Sequence, residues 1–175
     1  MVDNCVPAAL SVDDARIRRQ VRKRAGAMPH PGAQGAELGR LAGHLGYLVR
    51  RAQVWIFQDF IRTLAEVDLR PAQYSVLIVI EANPGLSQTA LSQTLGIERA
   101  RLVHLLDGLE ARKFVQRYRS KKDRRSHTLS LTAQGRRALV RVKALADDHE
   151  QRLAQRVGAR SYKTLLRLLA VFAYG

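Results

Sequence analysis

The chain has 175 residues, enough for one domain or two small ones, and 46% of them are hydrophobic, so a packed core is within reach. Thirty Lys and Arg against fifteen Asp and Glu leave a formal charge of +15, a field that attracts polyanions and repels cations. The longest purely apolar run, Val76 to Ile80, falls far short of the ~20 residues of a membrane span, and the N-terminus lacks a secretory pattern. The single cysteine, Cys5, excludes an intrachain disulfide and a cysteine metal cluster. A cytoplasmic protein in a reducing compartment is expected. Its partner is DNA, RNA, a ribosome or an anionic surface, and charge alone does not choose among them.

Residues 1–36 read as a separable basic arm and linker. Asp13 to Ala27 suits a short helix carrying Arg16, Arg18, Arg19, Arg22, Lys23 and Arg24, and "MPHPGAQG" follows as a Pro- and Gly-rich connection. This arm is either a disordered tail or an extra DNA-contacting segment. From Glu37 to Val67, Leu41, Leu45, Leu48, Ala52, Trp55, Phe60, Leu64 and Val67 recur at helical spacing. They predict one long helix of roughly 40 Å at the standard rise. Pro71 suits the first turn of a second helix, which runs through the apolar "AQYSVLIVIEA" and stops at "NPG".

Ser87 to Leu95 then predicts a short helix, Gly96 a turn, and a second helix follows to about Arg112. Leu91, Leu95, Ile97, Leu102 and Leu105 fall where two crossed helices bury side chains, and Ser92 is small at their approach. This is a helix-turn-helix pattern. Val115 to Arg119 and His127 to Leu131 read as two strands of a hairpin. Between Arg117 and Arg125, six of nine residues are basic. A helix-turn-helix followed by such a hairpin is a winged helix. Its second helix suits a major groove, and its hairpin tip reaches a minor groove whose negative potential attracts arginine. Thr132 caps a long helix striped by Leu139, Val142, Ala146, His149, Leu153 and Val157, which Gly158 ends. A last helix, Ser161 to Tyr174, carries Leu165, Leu166, Leu168, Leu169 and Phe172.

The chain is therefore expected to be mainly α with a small β-hairpin wing. Residues 69–145 would form the winged helix-turn-helix DNA-binding domain, and residues 37–68 with 146–175 a helical dimerisation region. Residues 41–174 resemble a MarR-type transcriptional regulator. The resemblance is carried by "LSQTLGIERARLVHLLDGLE" and "RYRSKKDRRSHTLSLTAQG", above all by Asp-Arg-Arg followed by Leu-x-Leu-Thr-x-x-Gly. It implies a triangular homodimer whose first and last helices form the interface. Its winged domains would bind two halves of a pseudo-palindromic operator on double-stranded DNA. Repression relieved by a small molecule is the family default. Two departures stand out: Lys113 where many relatives carry Gly, and Glu98, a poor N-cap.

On the recognition helix, Arg99, Ala100, Arg101, Val103 and His104 are not needed for a core. Arg99 and Arg101 either read guanine edges or hold phosphates, and His104 suits a phosphate. Ser87 and Gln88, opening the preceding helix, are candidate phosphate contacts. In the wing, Arg125 is expected in the minor groove, oriented by Asp123, with Lys121, Lys122 and Arg124 on the backbone.

The resemblance also implies an effector between the dimer helices and the winged domain, an aromatic carboxylate or an acyl-CoA thioester. Tyr47, Arg50, Arg51, Trp55, Phe60, Tyr74 and His149 are the candidate contacts, with Phe57 nearby. Core packing is the competing role for Trp55, Phe60 and His149. His30, His44, His104, His127 and His149 show no metal-ligand spacing, and Cys5 lies far from the first helix, where some relatives sense oxidants. Paired carboxylates, a phosphate-cradling glycine loop and a nucleophile-and-base arrangement are all missing. No catalytic residue, cofactor or metal is expected. The rival is a nonspecific architectural nucleic-acid-binding protein, which the charge alone also suits.

Overall fold

The computed structural model describes residues 37–119 and 127–174. The chain divides into two compact units, Met1–Ile56 and Phe57–Gly175, with the boundary inside the first long helix. The described part of the N-terminal unit opens with a 3-10 turn, Gly39–Gly43, after which His44 is extended (φ −82°, ψ 128°). Helix α1 begins only at Leu45 and ends at Ala65. The single helix expected from Glu37 to Val67 is therefore shorter, about 30 Å at the standard rise. Gly39 and Gly43 explain the late start, since each costs a helix about 1 kcal/mol relative to Ala. At the far end Asp68 turns left-handed (φ 50°).

The second unit holds the core. Helix α2, Pro71–Ala82, has Pro at its start, and the Gln73 side-chain Oε1 accepts from the Arg70 N–H at 3.0 Å. Val76, Leu77 and Ile80 are essentially inaccessible, so α2 is the central helix that its apolar run predicts. Helix α3, Gln88–Leu95, is capped by Ser87, whose hydroxyl accepts from Ala90 N–H at 3.1 Å. Gly96 closes α3 in the left-handed conformation (φ 60°). Ser92 does more than leave room: its hydroxyl donates to the Ile97 carbonyl at 2.7 Å and ties the turn.

Helix α4, Arg99–Ala111, has no side-chain cap at Glu98. Leu102, Leu106 and Leu109 bury its inner face, each worth about 1.5–3 kcal/mol relative to exposure. Its C-terminus answers the Lys113 question. Lys113 adopts φ 57°, its N–H donates to Glu110 O at 2.8 Å, and Phe114 N–H donates to Leu109 O at 2.9 Å. That is the paired closure normally built on glycine, completed by burial of Phe114 and Leu109 together.

Strands β1 (Val115–Arg119) and β2 (His127–Leu131) pair antiparallel, with Val115 opposite Leu131 and Arg117 opposite Leu129. The segment before α3 adds a short third edge. Gly85 N–H donates to Leu129 O at 3.0 Å, Leu129 N–H donates to Leu86 O at 2.9 Å, and Ser87 bridges Thr128. Thr132 then caps α5, Ala133–Val157, by accepting from Gly135 N–H at 2.9 Å, and its hydroxyl donates to Lys113 O at 2.5 Å. A Cβ on Gly135 would lie 2.0 Å from the Phe114 carbonyl oxygen, so the α5 start can approach the wing base only with glycine there. Helix α6, Ala159–Tyr174, starts two residues earlier than expected and contains no buried residue.

Candidate nucleic-acid interface

Helix α4 separates two faces. Leu102, Leu106 and Leu109 enter the core, while Arg99, Arg101, Val103 and His104 are exposed. The two arginines and the histidine thus stand where a recognition helix presents its readers, and Val103 adds an apolar group of the kind that meets a thymine methyl. Ser87 and Gln88 sit half-buried at the α3 start. The hydrogen-bonded bridge from Ser87 to Thr128 fixes that helix start to the wing base. Lys121, Lys122, Asp123, Arg124 and Arg125 lie outside the described residues, between two strands whose register is set up to Arg119 and from His127.

Two arginines that pattern alone groups with free positive charge are engaged inside the protein. Arg117 Nη2 lies 2.5 Å from Asp107 Oδ1 and its Nη1 lies 3.4 Å from Glu110 Oε2, both on α4. Arg112 donates to the carbonyls of Val67, at 3.0 Å, and Asp68, and its guanidinium covers the Phe114 ring at 4.6 Å. It thereby clamps the connection between α1 and α2 to the end of the recognition helix. Nothing in sequence spacing marks either role, because each partner lies on another element.

Among the expected effector contacts, Phe60, Tyr74 and His149 come together. Phe60 meets Tyr74 edge-on with centroids 5.4 Å apart and stacks on His149 at 4.9 Å. His149 is buried, and its Nδ1 pairs with Asp59 Oδ2 at 3.0 Å. Arg152 joins the cluster through Thr63 Oγ1 at 2.6 Å and Asp59 at 3.5 Å. Partial burial pushes the Asp59 carboxyl pKa up, but hydrogen bonds from Arg62 and His149 and the charge of Arg152 outweigh it and hold it below the usual value. Burial, with the charges of Asp147 and Glu150, pushes the Tyr74 phenol up against the opposing charge of Lys143. Sequence reasoning missed Asp59 and Arg152, since nothing in the sequence places them beside His149. Tyr47, Arg50, Arg51 and Trp55 belong to the N-terminal unit, where the arginines are exposed and Tyr47 and Trp55 half-buried.

A cleft of about 220 Å³ opens among Val67, Leu69, Phe114, Ala138, Arg141 and Val142. It is smaller than the ~300–1,000 Å³ typical of ligand pockets. Among the described residues no group of three or more His, Cys, Asp or Glu is placed to hold a metal, and no helix is long and apolar enough to cross a membrane.

A helix-turn-helix with a bonded two-strand wing and an arginine-bearing outer face on its second helix defines a winged-helix DNA-binding protein. The comparisons narrow the class. Residues 67–126 match the model of the MarR family. The chain is 35% identical over 132 residues to the transcriptional regulatory protein proposed for the hcr operon of Thauera aromatica, covering 75% of this chain and 80% of that one. The chain belongs to the MarR family of transcriptional regulators. It is also similar to the transcriptional repressor CouR solved on a 23-mer DNA duplex, with 46% identity and TM-score 0.77 over 80% of this chain and 99% of that one. CouR bound to p-coumaroyl-CoA superposes at 44% identity and TM-score 0.72, over 79% of this chain and 97% of that one. CouR from Rhodococcus jostii RHA1, also bound to p-coumaroyl-CoA, is 25% identical with TM-score 0.65, over 81% and 96% of the two chains.

Proposed function

We propose that this protein is a homodimeric repressor that binds a pseudo-palindromic operator and is released by an aromatic acyl-CoA thioester of the p-coumaroyl type. The observation that carries the reading is the 46% identity over 99% of a repressor solved on DNA, and 44% with its p-coumaroyl-CoA complex.

The exposed apolar residues support the dimer. Leu165, Leu166, Leu168, Leu169, Val171 and Phe172 of α6 are 39–74% accessible, a patch that an isolated chain would leave in water. Residues 37–68 and 146–175 are the dimerisation region in this reading, and 69–145 the DNA-binding domain. Ser87, Gln88 and His104 hold backbone, Arg99 and Arg101 occupy the major groove, and Arg125 enters the minor groove. Asp123 orients Arg125, while Lys121, Lys122 and Arg124 neutralise phosphates. Phe60, Tyr74 and His149 are the proposed seat of the effector's ring, with Tyr47, Arg50, Arg51 and Trp55 as further contacts. A ligand acts only by favouring one conformation over another, and the Asp59–His149–Arg152 cluster joins α1 to α5 in the state described.

Selection of the purified protein on sheared genomic DNA at near-physiological salt tests the reading. An inverted repeat with half-sites about one helical turn apart is expected, and p-coumaroyl-CoA, but not free CoA, should elute it. Tight binding with flat enrichment would leave a nonspecific backbone clamp. Retention in the presence of the thioester would remove the effector assignment.

A further inference from the structure

We propose that Arg117 is a positioning residue: gripped by Asp107 and Glu110, it sets the angle between recognition helix and wing and makes no phosphate contact of its own. The inference rests on the DNA-binding reading and concerns how two reading elements are held at one spacing. Strand β1 leaves α4 after a three-residue connection, Arg112, Lys113 and Phe114. A two-strand hairpin is at best marginally stable by itself, so its direction must be imposed from outside.

The register places Arg117 opposite the fully buried Leu129, on the same side of the hairpin as Val115 and Leu131. From that inward position its guanidinium meets both carboxylates, which lie three residues and about one turn apart on α4. The Arg117 backbone N–H also donates to Glu110 Oε1 at 3.3 Å, so Glu110 holds main chain and side chain together. A planar guanidinium spans two acceptors in a fixed plane, which an ammonium does not. Its side chain is only 21% exposed, against 52% for Asp107. Two carboxylates against one cation leave a local excess of negative charge, which disfavours a phosphate there. Of the six basic residues between Arg117 and Arg125, this one is spent on geometry.

The sign of one substitution separates positioning from contact. Asp107→Asn removes a negative charge beside DNA and, by electrostatics alone, would tighten binding. If Asp107 holds the wing through Arg117, the same change weakens operator binding by about tenfold, the order of one misread base pair. Arg117→Lys should do likewise. In both variants the slope of log affinity against log salt should stay at the wild-type value, since no phosphate contact is lost. Equal or tighter binding by Asp107→Asn overturns the proposal, as does wild-type affinity in Arg117→Lys. A slope flattened by about one in Arg117→Gln makes Arg117 a phosphate contact instead. Asp107→Asn is nearly isosteric, so thermal melting and size-exclusion on the same samples keep a folding defect separate. Wild-type binding without sequence preference would overturn the operator reading alone. The sign and slope comparison needs only duplex binding and would still decide the role of Arg117.

Discussion

The winged core and the terminal helix α6 meet their needs in opposite ways. In the core, charged groups find internal partners: Arg112 caps two carbonyls, the terminal nitrogens of Arg117 join two carboxylates although its buried Nε has no hydrogen-bond partner, and buried His149 meets Asp59. In α6, Leu168 and Phe172 stand 58% and 74% accessible, and no residue of the helix is buried. The difference teaches that exposed apolar surface marks where a second body is needed, whereas clustered charge does not by itself mark a binding site.

Four changes break or sharpen this contrast. Gly135→Ala should be the most damaging, because its Cβ would fall 2.0 Å from backbone rather than from a movable side chain. A loss of about 3 kcal/mol or more in chemical denaturation is expected, and a loss below 1 kcal/mol would mean that the junction is looser than described. Leu168→Glu should act on the other region only. If the proposed dimer forms through α6, sedimentation should show a dimeric wild type and a monomeric variant whose circular dichroism spectrum is still helical. A variant that stays dimeric would remove α6 from the interface.

Smaller in size, Lys113→Gly should stabilise the chain by about 0.5–1 kcal/mol, by relieving a left-handed non-glycine residue. A destabilised variant would show that the lysine side chain contributes more than its backbone strain costs. The smallest effect concerns Tyr162, whose hydroxyl donates to Glu150 and ties α6 to α5. That hydrogen bond, then burial and the Glu150 charge, pushes the phenol up from 10.0 to about 12. The folded-state value is raised, so this contribution is complete below about pH 10 and is lost as pH climbs toward 12. The wild-type denaturation midpoint should therefore fall between pH 9.5 and about 11.5 by more than that of Tyr162→Phe. Parallel curves for the two proteins would show that the bond carries no stability.

Local patterns were legible where a residue's own chemistry decides its place. The limits of α2, β1 and β2, the Thr132 cap, the Gly96 turn and the buried Leu139, Val142, Ala146 and His149 of α5 follow from spacing and capping alone, whereas Leu153 is only half-buried and Val157, at the end of that stripe, is exposed. Apolar periodicity continues back to Glu37 through residues whose glycines do not sustain a helix, so spacing alone overextends α1. At Lys113 the left-handed cap was legible as a question, and burial of Phe114 over Leu109 answered it.

The chain by itself determined a winged helix with a basic hairpin and an exposed arginine face on α4, because period, turn chemistry and charge are carried by neighbours in sequence. Only the tertiary structure decided which of those charges are free. Asp107 lies ten residues from Arg117, Asp68 forty-four from Arg112, and Asp59 ninety from His149. An ion pair is set by distance in space, and that distance exists only once the core has packed.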